Sequence, residues 1–486
     1  MLNLLAFDLG ASNGRAILGQ LDNGKITMKE LHRFENNYII KDDVFYWDLP
    51  YLFENLKQGF KAFKEENVGD LDCFGIDTWG VDYGLLDANG EVLGLPRAYR
   101  YAVDADMARV WEKVDFPTQF SRTGIAALNF NTVYQLYRRK SEGDEALANA
   151  ETMLMMPDLL GYLLSGEKKT EYTNATTSML YNPTKKDWDW ETISDLDLPK
   201  QLFTEIDRAG TIRGKLRAEI AEEVGLNQVP FAAVGTHDTA SAVAAIPGTG
   251  NFAFCSSGTW SLFGVETDEP ILSEDVRNAN FANEGTIPGG FRPLSNIMGM
   301  WLIQDCRRYW QSQGHQLSWN DIVEEAKKAE PFRTIINPDH GEFFAGGNMV
   351  PKIQEYARST NQPVPETIGQ VARAIYESLA LKYRWALERL QVIKGEHIGQ
   401  LNIVGGGCQN KFLDQLVADS LDRPVVIGPI EGAAIGNLLA QAMALGAVKD
   451  LAELRQIVRN SEAVEEFTPN HTPEWETAYQ KLLSLL

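Results

Sequence analysis

The chain has 486 residues, 44% hydrophobic and 23% charged, the balance of a globular protein of two or three domains. Its formal net charge of −22 argues against nucleic acid as the main partner, because phosphate backbones are held by clustered Lys and Arg. No apolar run approaches the ~18 residues that span a membrane, MLNLLAFDLG is no signal peptide, and Cys73, Cys255, Cys306 and Cys408 form no CxxC pair. A cytoplasmic protein without a disulfide framework or structural zinc is expected.

In chain order, LNLLAFDLG reads as a buried strand ending in a glycine turn. RAILGQLD, the turn DNGK and ITMKELHRFEN follow, which predicts a three-stranded antiparallel meander. LFENLKQGFKAFKEE has helical spacing. LDCFGIDTWGVDYGLLDANGEVLG reads as a strand, a loop and a hairpin closed by Asn89-Gly90. After the break IPGTGN, GNFAFCSSGTWSLFGVET again reads as strand, small-residue turn, strand. TIGQVARAIYESLALKYRWALERLQV predicts a long amphipathic helix. LNIVGGGCQNKFLDQLVADSL predicts a strand, a triple-glycine turn and a helix. This repeated grammar suggests a duplication, with domains at 1–244 and 245–486.

Several short stretches carry chemistry. GASNG (residues 10–14) fits the G-x-S-x-G nucleophile elbow, but that motif needs a helix after it and a strand is predicted here. A tight turn with Ser12 and Asn13 can instead offer backbone N–H groups to a phosphate, with Asp8 holding a metal through water. CSSGTWS repeats that logic, and two such turns could clasp a phosphate chain. The GGG at 405–407 is either a third such turn or tight packing of helix on strand. In GIDTWGVD, Asp77, Trp79 and Asp82 suit a sugar, or one Asp caps a turn while Trp79 fills the core. In GTHDTAS, Asp238 is either a helix cap or a general base in an apolar cleft. Asn174-Ala175-Thr176 fits a glycosylation acceptor, which means little without secretion.

FDLGASNGR, GIDTWGVDYGLLD, MPDLLGYLLSGEKKTEYTNATTSML, GTHDTASAV, SSGTWSL, NIMGMWLIQ and IVGGGCQN follow one another as in the FGGY family of carbohydrate kinases. The resemblance runs from about Leu4 to Glu466, and the combination is far more specific than any single motif. It implies an α/β fold of two ribonuclease H-like (actin-like ATPase) domains with an interdomain cleft. It implies transfer of the γ-phosphoryl group of ATP, with Mg²⁺, to a sugar hydroxyl. The match is to members acting on L-rhamnulose, which implies L-rhamnulose 1-phosphate as product.

Carried over by motif, Asp238 corresponds to the catalytic base, flanked at the sugar by His237 and Thr239. Gly80 and Asn296 correspond to sugar contacts, beside the candidates Asp77 and Trp79. Ala11, Ser12, Asn13, Gly14 and Arg15 correspond to the first phosphate loop, and Thr259 to the second. Gln304 and Gly406 correspond to nucleotide contacts, and Asp8 to the acid near the metal. Ala11 stands where many sugar kinases of this fold have Thr, and Asn13 stands in place of Ser. Domain closure is implied to exclude water from the transfer. Partners are expected to be the sugar and ATP, on a monomer or small homo-oligomer, with no membrane or nucleic acid. The alternatives are a kinase for another ketose such as L-fuculose or L-xylulose, a non-catalytic actin-like nucleotide switch, and a serine hydrolase.

Overall fold

Seven of the eight residues in Leu2–Leu9 (β1) are buried, which marks a strand covered on both faces and hence central in its sheet. Asn13–Asp22 (β2) returns antiparallel to it, and Lys25–Glu35 (β3) pairs antiparallel with β2. Asn23 and Gly24, both at positive φ, make the tight turn between them, so the expected meander is present. β3 is the edge strand. Its exposed side chains include Lys25, Lys29, Glu30 and Glu35, a charged edge that discourages pairing with other chains. Cys73–Thr78 (β4), Thr211–Lys215 (β5) and Pro230–Ala233 (β6) complete the sheet in the order β5-β6-β4-β1-β2-β3. β1, β4 and β6 run parallel.

The structure, a computed structural model, describes residues 1–287, 289–344 and 346–486. It divides into two compact units. The first holds Met1–Pro247, Glu266–Pro293 and Gly432–Glu462, and the second Gly248–Val265, Leu294–Glu431 and Ala463–Leu486. Among the described residues no helix is long and apolar enough to cross a membrane, and the four cysteines are free and buried.

In the first unit, the helix Leu49–Glu66 (α1) starts at Asp48, whose side chain accepts from the Tyr51 N–H, and ends at Asn67 in the left-handed region. Leu52, Leu56, Phe60 and Phe63 recur at helical spacing and are buried. Phe60 meets Phe7 and Phe74 edge-on at 5.0 and 5.1 Å, and Phe74 stacks on Phe231 at 4.9 Å. Truncating Phe60 to Ala would cost about 3–5 kcal/mol.

The opposite face of the sheet is covered by a returning helix, Gly432–Ala444, whose Ala434, Ile435, Leu438 and Leu439 join Leu4, Ala6, Ile17 and Val234 in one buried cluster. A Cβ on Gly436 would collide with the Ser241 carbonyl, so the absence of a side chain there sets how closely this helix approaches.

The second unit repeats the strand grammar. Phe252–Ser257 (β7) and Trp260–Gly264 (β8) form the expected hairpin, and Phe291–Met298 (β9) pairs with β8 through Leu294–Met298. Gln400–Val404 (β10) lies parallel to β7, followed outward by Val425–Ile427 (β11) and Glu465–Phe467 (β12). The long predicted helix is Ile368–Lys394, opened by a Thr367/Gln370 capping box and closed by Gly395.

One local expectation is only half met. Tyr83–Leu86 meets the Asn89-Gly90 return at a single bridge, Leu86 to Val92, and pairs along its length with Thr152–Met155. Asp87 takes the turn N–H groups of Asn89 and Glu91, which closes the turn without a longer ladder.

Candidate active site

The parallel strands of the first unit end together, and each delivers polar side chains at its carboxyl end. Asp8 on β1 stands in register with Asp77 on β4, and the Thr78 N–H donates to the Thr236 carbonyl beyond β6 at 2.8 Å. Asp8, Asp77, His237 and Asp238 therefore emerge from neighbouring strands, the place where open α/β sheets bind ligands.

Beyond β1 the chain turns tightly. The Gly10 N–H donates to Asn13 O at 2.8 Å, and Asn36 holds the Ser12 and Gly10 carbonyls at 3.0 and 2.9 Å. Ser12 and Asn13 are left exposed at the tip and Ala11 half-buried. Gly14 and Arg15 already belong to β2, so GASNG leads into a strand and has no nucleophile-elbow geometry. Arg15 pairs across the ladder with Asp8, Nη2 to Oδ2 at 2.6 Å.

Asp77 has no exposed surface. Asn437 Nδ2 donates to its Oδ2 at 2.6 Å, while Oδ1 is buried without a partner among the described residues. Burial, with the charge of Asp8 beside it, holds this carboxyl well above the ordinary range. Among the described residues no group of three or more His, Cys, Asp or Glu could hold a metal ion.

The THD turn is anchored from behind by Glu171. Its Oε2 accepts from the Thr236 N–H at 3.1 Å and the Thr236 hydroxyl at 2.9 Å. The Thr173 hydroxyl donates to the same oxygen and accepts from the His237 N–H at 3.2 Å. With the turn fixed, Asp238 opens the helix Asp238–Ala244. Its Oδ1 takes the Thr239 N–H at 2.5 Å and the Thr239 hydroxyl at 3.1 Å, so the carboxylate faces the positive end of its own helix. Among the described residues no donor reaches Oδ2. The side chain is 31% exposed. Desolvation, with Asp8 adding to it, nevertheless raises its pKa. A carboxylate with one oxygen held, the other free and its proton affinity raised is equipped to accept a proton.

The TWG stretch holds a strained turn. Val81 sits at φ 66°, rare for a β-branched residue, held by Thr177 Oγ1 on its N–H at 3.0 Å and the Thr132 hydroxyl on its carbonyl at 2.7 Å. Gly80 is half-buried on this turn. Trp79 is 6% exposed and packs tilted against Trp47, with ring centroids 4.0 Å apart. Both indole N–H groups donate to Asp82, at 2.7 Å from Trp47 and 3.0 Å from Trp79. Asp82 is wholly buried, and desolvation pushes its carboxyl up to about 6 against these donors. Asn174, in the glycosylation triplet, is also wholly buried.

The second unit carries its own turns. The Gly258 N–H donates to Trp260 O at 2.8 Å, and Thr259 O accepts from the N–H groups of Gly299 and Trp301, at 3.2 and 3.1 Å. This seats Thr259 on the start of the helix Trp301–Ser312, which carries the half-buried Gln304. Asn296 lies on β9 opposite Leu262. After β10, Gly405 adopts φ 89°, and a Cβ there would come within 2.8 Å of Ser257 O. Gly406 is exposed, with nothing among the described residues near its missing Cβ. The triple glycine thus packs one turn on the other and leaves its middle residue open.

Sequence reading missed Glu171, Glu284, Arg292 and Asn437. Asn437 and Gln441, four apart in the otherwise apolar AAIGNLLAQA, were the one available signal, a polar stripe on a buried helix. Gln441 Nε2 donates to Asn437 Oδ1 and to Leu5 O, at 2.7 and 3.0 Å.

The N-terminal domain of the FGGY family of carbohydrate kinases matches residues 3–245, and its C-terminal domain matches residues 253–445. A rhamnulokinase of Bacteroides thetaiotaomicron is 41% identical over 482 residues, 98% of each chain. One of Bacillus subtilis is 40% identical over 467 residues, covering 96% of this chain and 95% of that one. The fold matches a xylulose kinase of Lactobacillus acidophilus with a TM-score of 0.82 at 17% identity, over 100% and 97% of the two chains.

Proposed function

The chain belongs to the FGGY family of carbohydrate kinases, and from that premise we propose that it transfers the γ-phosphoryl group of ATP to the O1 hydroxyl of L-rhamnulose, giving L-rhamnulose 1-phosphate. The choice of sugar is supported by rhamnulokinases about 40% identical over nearly the whole length. The observation that carries the chemistry is the Asp238 carboxylate, with Oδ1 tied to its own helix start and its side chain still 31% exposed. Asp238 orients the sugar hydroxyl and accepts its proton as the new P–O bond forms. His237, Thr239, Gly80 and Asn296 surround the sugar, while Asp77 and Trp79, both buried, support that site from within the core. The domains divide as 1–244, holding the sugar and the first phosphate loop, and 245–486, holding the nucleotide.

Residues Ala11 to Arg15 and Thr259 hold the phosphates, and Gln304 and Gly406 contact the nucleotide. The phosphoryl-transfer transition state is loose, so holding and neutralising the phosphates carries most of the catalysis. Mg²⁺ fits this donor set, since it keeps waters and phosphate oxygens and needs only one or two carboxylates, of which Asp8 is the candidate. When bound it neutralises charge on the phosphates. The same reading puts the enzyme in the cytoplasm, where its four thiols stay reduced.

The test is ADP release across a panel of ketoses and aldoses. ATP is expected to be consumed in step with added L-rhamnulose. Faster turnover of L-fuculose or L-xylulose would move the substrate, and slow hydrolysis indifferent to any sugar would favour a nucleotide switch.

A further inference from the structure

Behind His237 lies a buried ion pair that the transfer scheme leaves without a task. The Arg292 side chain has no exposed surface, and that of Glu284 is 9% exposed. Arg292 Nη2 stands 2.7 Å from Glu284 Oε2 and 2.8 Å from His237 Nδ1. A guanidinium carries donors only and stays protonated. Nη2 has two hydrogens, one for each neighbour. At 2.8 Å, Nδ1 must present a lone pair, because a proton there would set two N–H groups against each other. Glu284 Oε2 is 3.2 Å from the same Nδ1, a longer approach, and it already accepts from Arg292. A neutral imidazole with Nδ1 bare carries its proton on Nε2. Nε2 is the nitrogen on the Asp238 side, 3.6 Å from Oδ1.

Two further nitrogens of Arg292, Nε and Nη1, are buried without a partner among the described residues. A buried ion pair of this kind is a poor source of stability compared with apolar residues of the same volume. It does, however, fix the ring of a neighbour.

We propose that Arg292, with Glu284 as counter-ion, is a positioning residue that locks His237 in its Nε2–H tautomer, so that the ring offers a hydrogen-bond donor to the sugar beside the Asp238 carboxylate. The sugar in this statement rests on the kinase reading above; the tautomer does not. The two neighbours then divide the work. Asp238 accepts from the reacting hydroxyl, and His237 donates to an adjacent sugar oxygen, which decides which hydroxyl lies at the carboxylate.

The chain has 6 histidines, few enough for ¹⁵N-histidine labelling of the full-length protein and long-range ¹H–¹⁵N spectra, with His237 assigned by its loss in His237→Gln. In the unsubstituted protein at pH 7.5, His237 is expected to carry one proton, on Nε2. The double variant Arg292→Met/Glu284→Gln removes both buried charges together. It is expected to lose that pattern and to raise the sugar KM about 10- to 100-fold, the scale of one buried hydrogen bond, with a smaller change in kcat and none in the KM for ATP. Arg292→Lys, which can still donate to Nδ1, should recover part of the loss.

A proton on Nδ1 in the unsubstituted protein overturns the proposal. So does a sugar KM unmoved once the tautomer is lost. If the double variant does not fold, the unsubstituted spectrum still decides. That spectrum needs neither sugar nor ATP. A protein that phosphorylates no ketose therefore sinks the kinase reading and leaves the tautomer to stand or fall alone.

Discussion

In the first unit, β1 and β4 run parallel with Asp8 opposite Asp77, and Asp238 follows β6. In the second, β7 and β10 run parallel in the same manner, but Ser256 stands opposite Val404, and Ser257 and Gly405 follow. The backbone arrangement is the same: a hairpin, then a strand added parallel to its first arm. The furnishing differs. One set of strand ends carries carboxylates, and the other carries small residues that bring two turns together and leave Gly406 open. The shared ladder fixes where the chain turns; the side chains at the turn fix what it can do. A carboxylate end can take protons and hold a cation, while a small-residue end lets a ligand approach the backbone.

The largest expected effect breaks the carboxylate side of this comparison. Asp238→Asn should fold and bind nucleotide normally while kcat falls by ~10²–10⁴, the range for loss of a general base. Steady-state rates beside calorimetric ATP binding check this, and near-normal turnover would refute the assignment.

Next comes Asp82, which tests what burying a carboxylate costs in this unit. Its proton is held to about pH 6 in the folded state, but only to about 4 in the unfolded chain. Between those values the folded protein binds more protons, so stability falls as pH rises through that window, by up to about 3 kcal/mol from this group. Denaturant melts at pH 4, 5 and 6 should show that slope flattened in Asp82→Asn.

The glycine side is sharpened by a pair. Gly405→Ala forces a side chain to φ 89° and against Ser257 O, and should cost about 1–2 kcal/mol from the backbone alone. Gly406→Ala meets nothing among the described residues. It should change stability by less than about 0.5 kcal/mol while raising the KM for ATP. Thermal melts and ATP titrations of the two variants separate packing from ligand approach.

The smallest effect concerns pH. Because Asp238 is raised by burial and a base must be ionised to act, the acid limb of kcat/KM for the sugar should lie above the ~4 of an ordinary aspartate. A limb at or below that value would contradict the burial argument.

Much of this was legible in the sequence because it is local. The meander, the hairpin at Ser257, the helix Ile368–Lys394 and the turn after Val404 follow from periodicity and glycine. Asp238 stood out because charge is rare in an apolar run. What stayed hidden depends on distant partners. Tyr83–Leu86 finds its main partner at Thr152–Met155 rather than in the adjacent turn. Asp82 is an anchor because Trp47 reaches it from a separate hairpin. Arg292 and Glu284 meet His237 across some fifty residues of chain. None of these juxtapositions leaves a mark in the local pattern, since each residue type is ordinary where it stands.

The returning helix has a consequence for how the chain is made. Leu4, Ala6, Ile17 and Val234 leave the ribosome early, yet Ile435 and Leu438, which cover them, arrive only after residues 248–431 have been synthesised. At 5–20 residues per second, that leaves one face of the first sheet uncovered for about 10–40 s. Sticky apolar surface is therefore a built-in feature of every nascent copy. A chain cut short at Glu431 would keep the Asp238 turn and lose its cover. Such a fragment should aggregate when expressed, and supplying residues 432–486 in trans should restore some of it to solution.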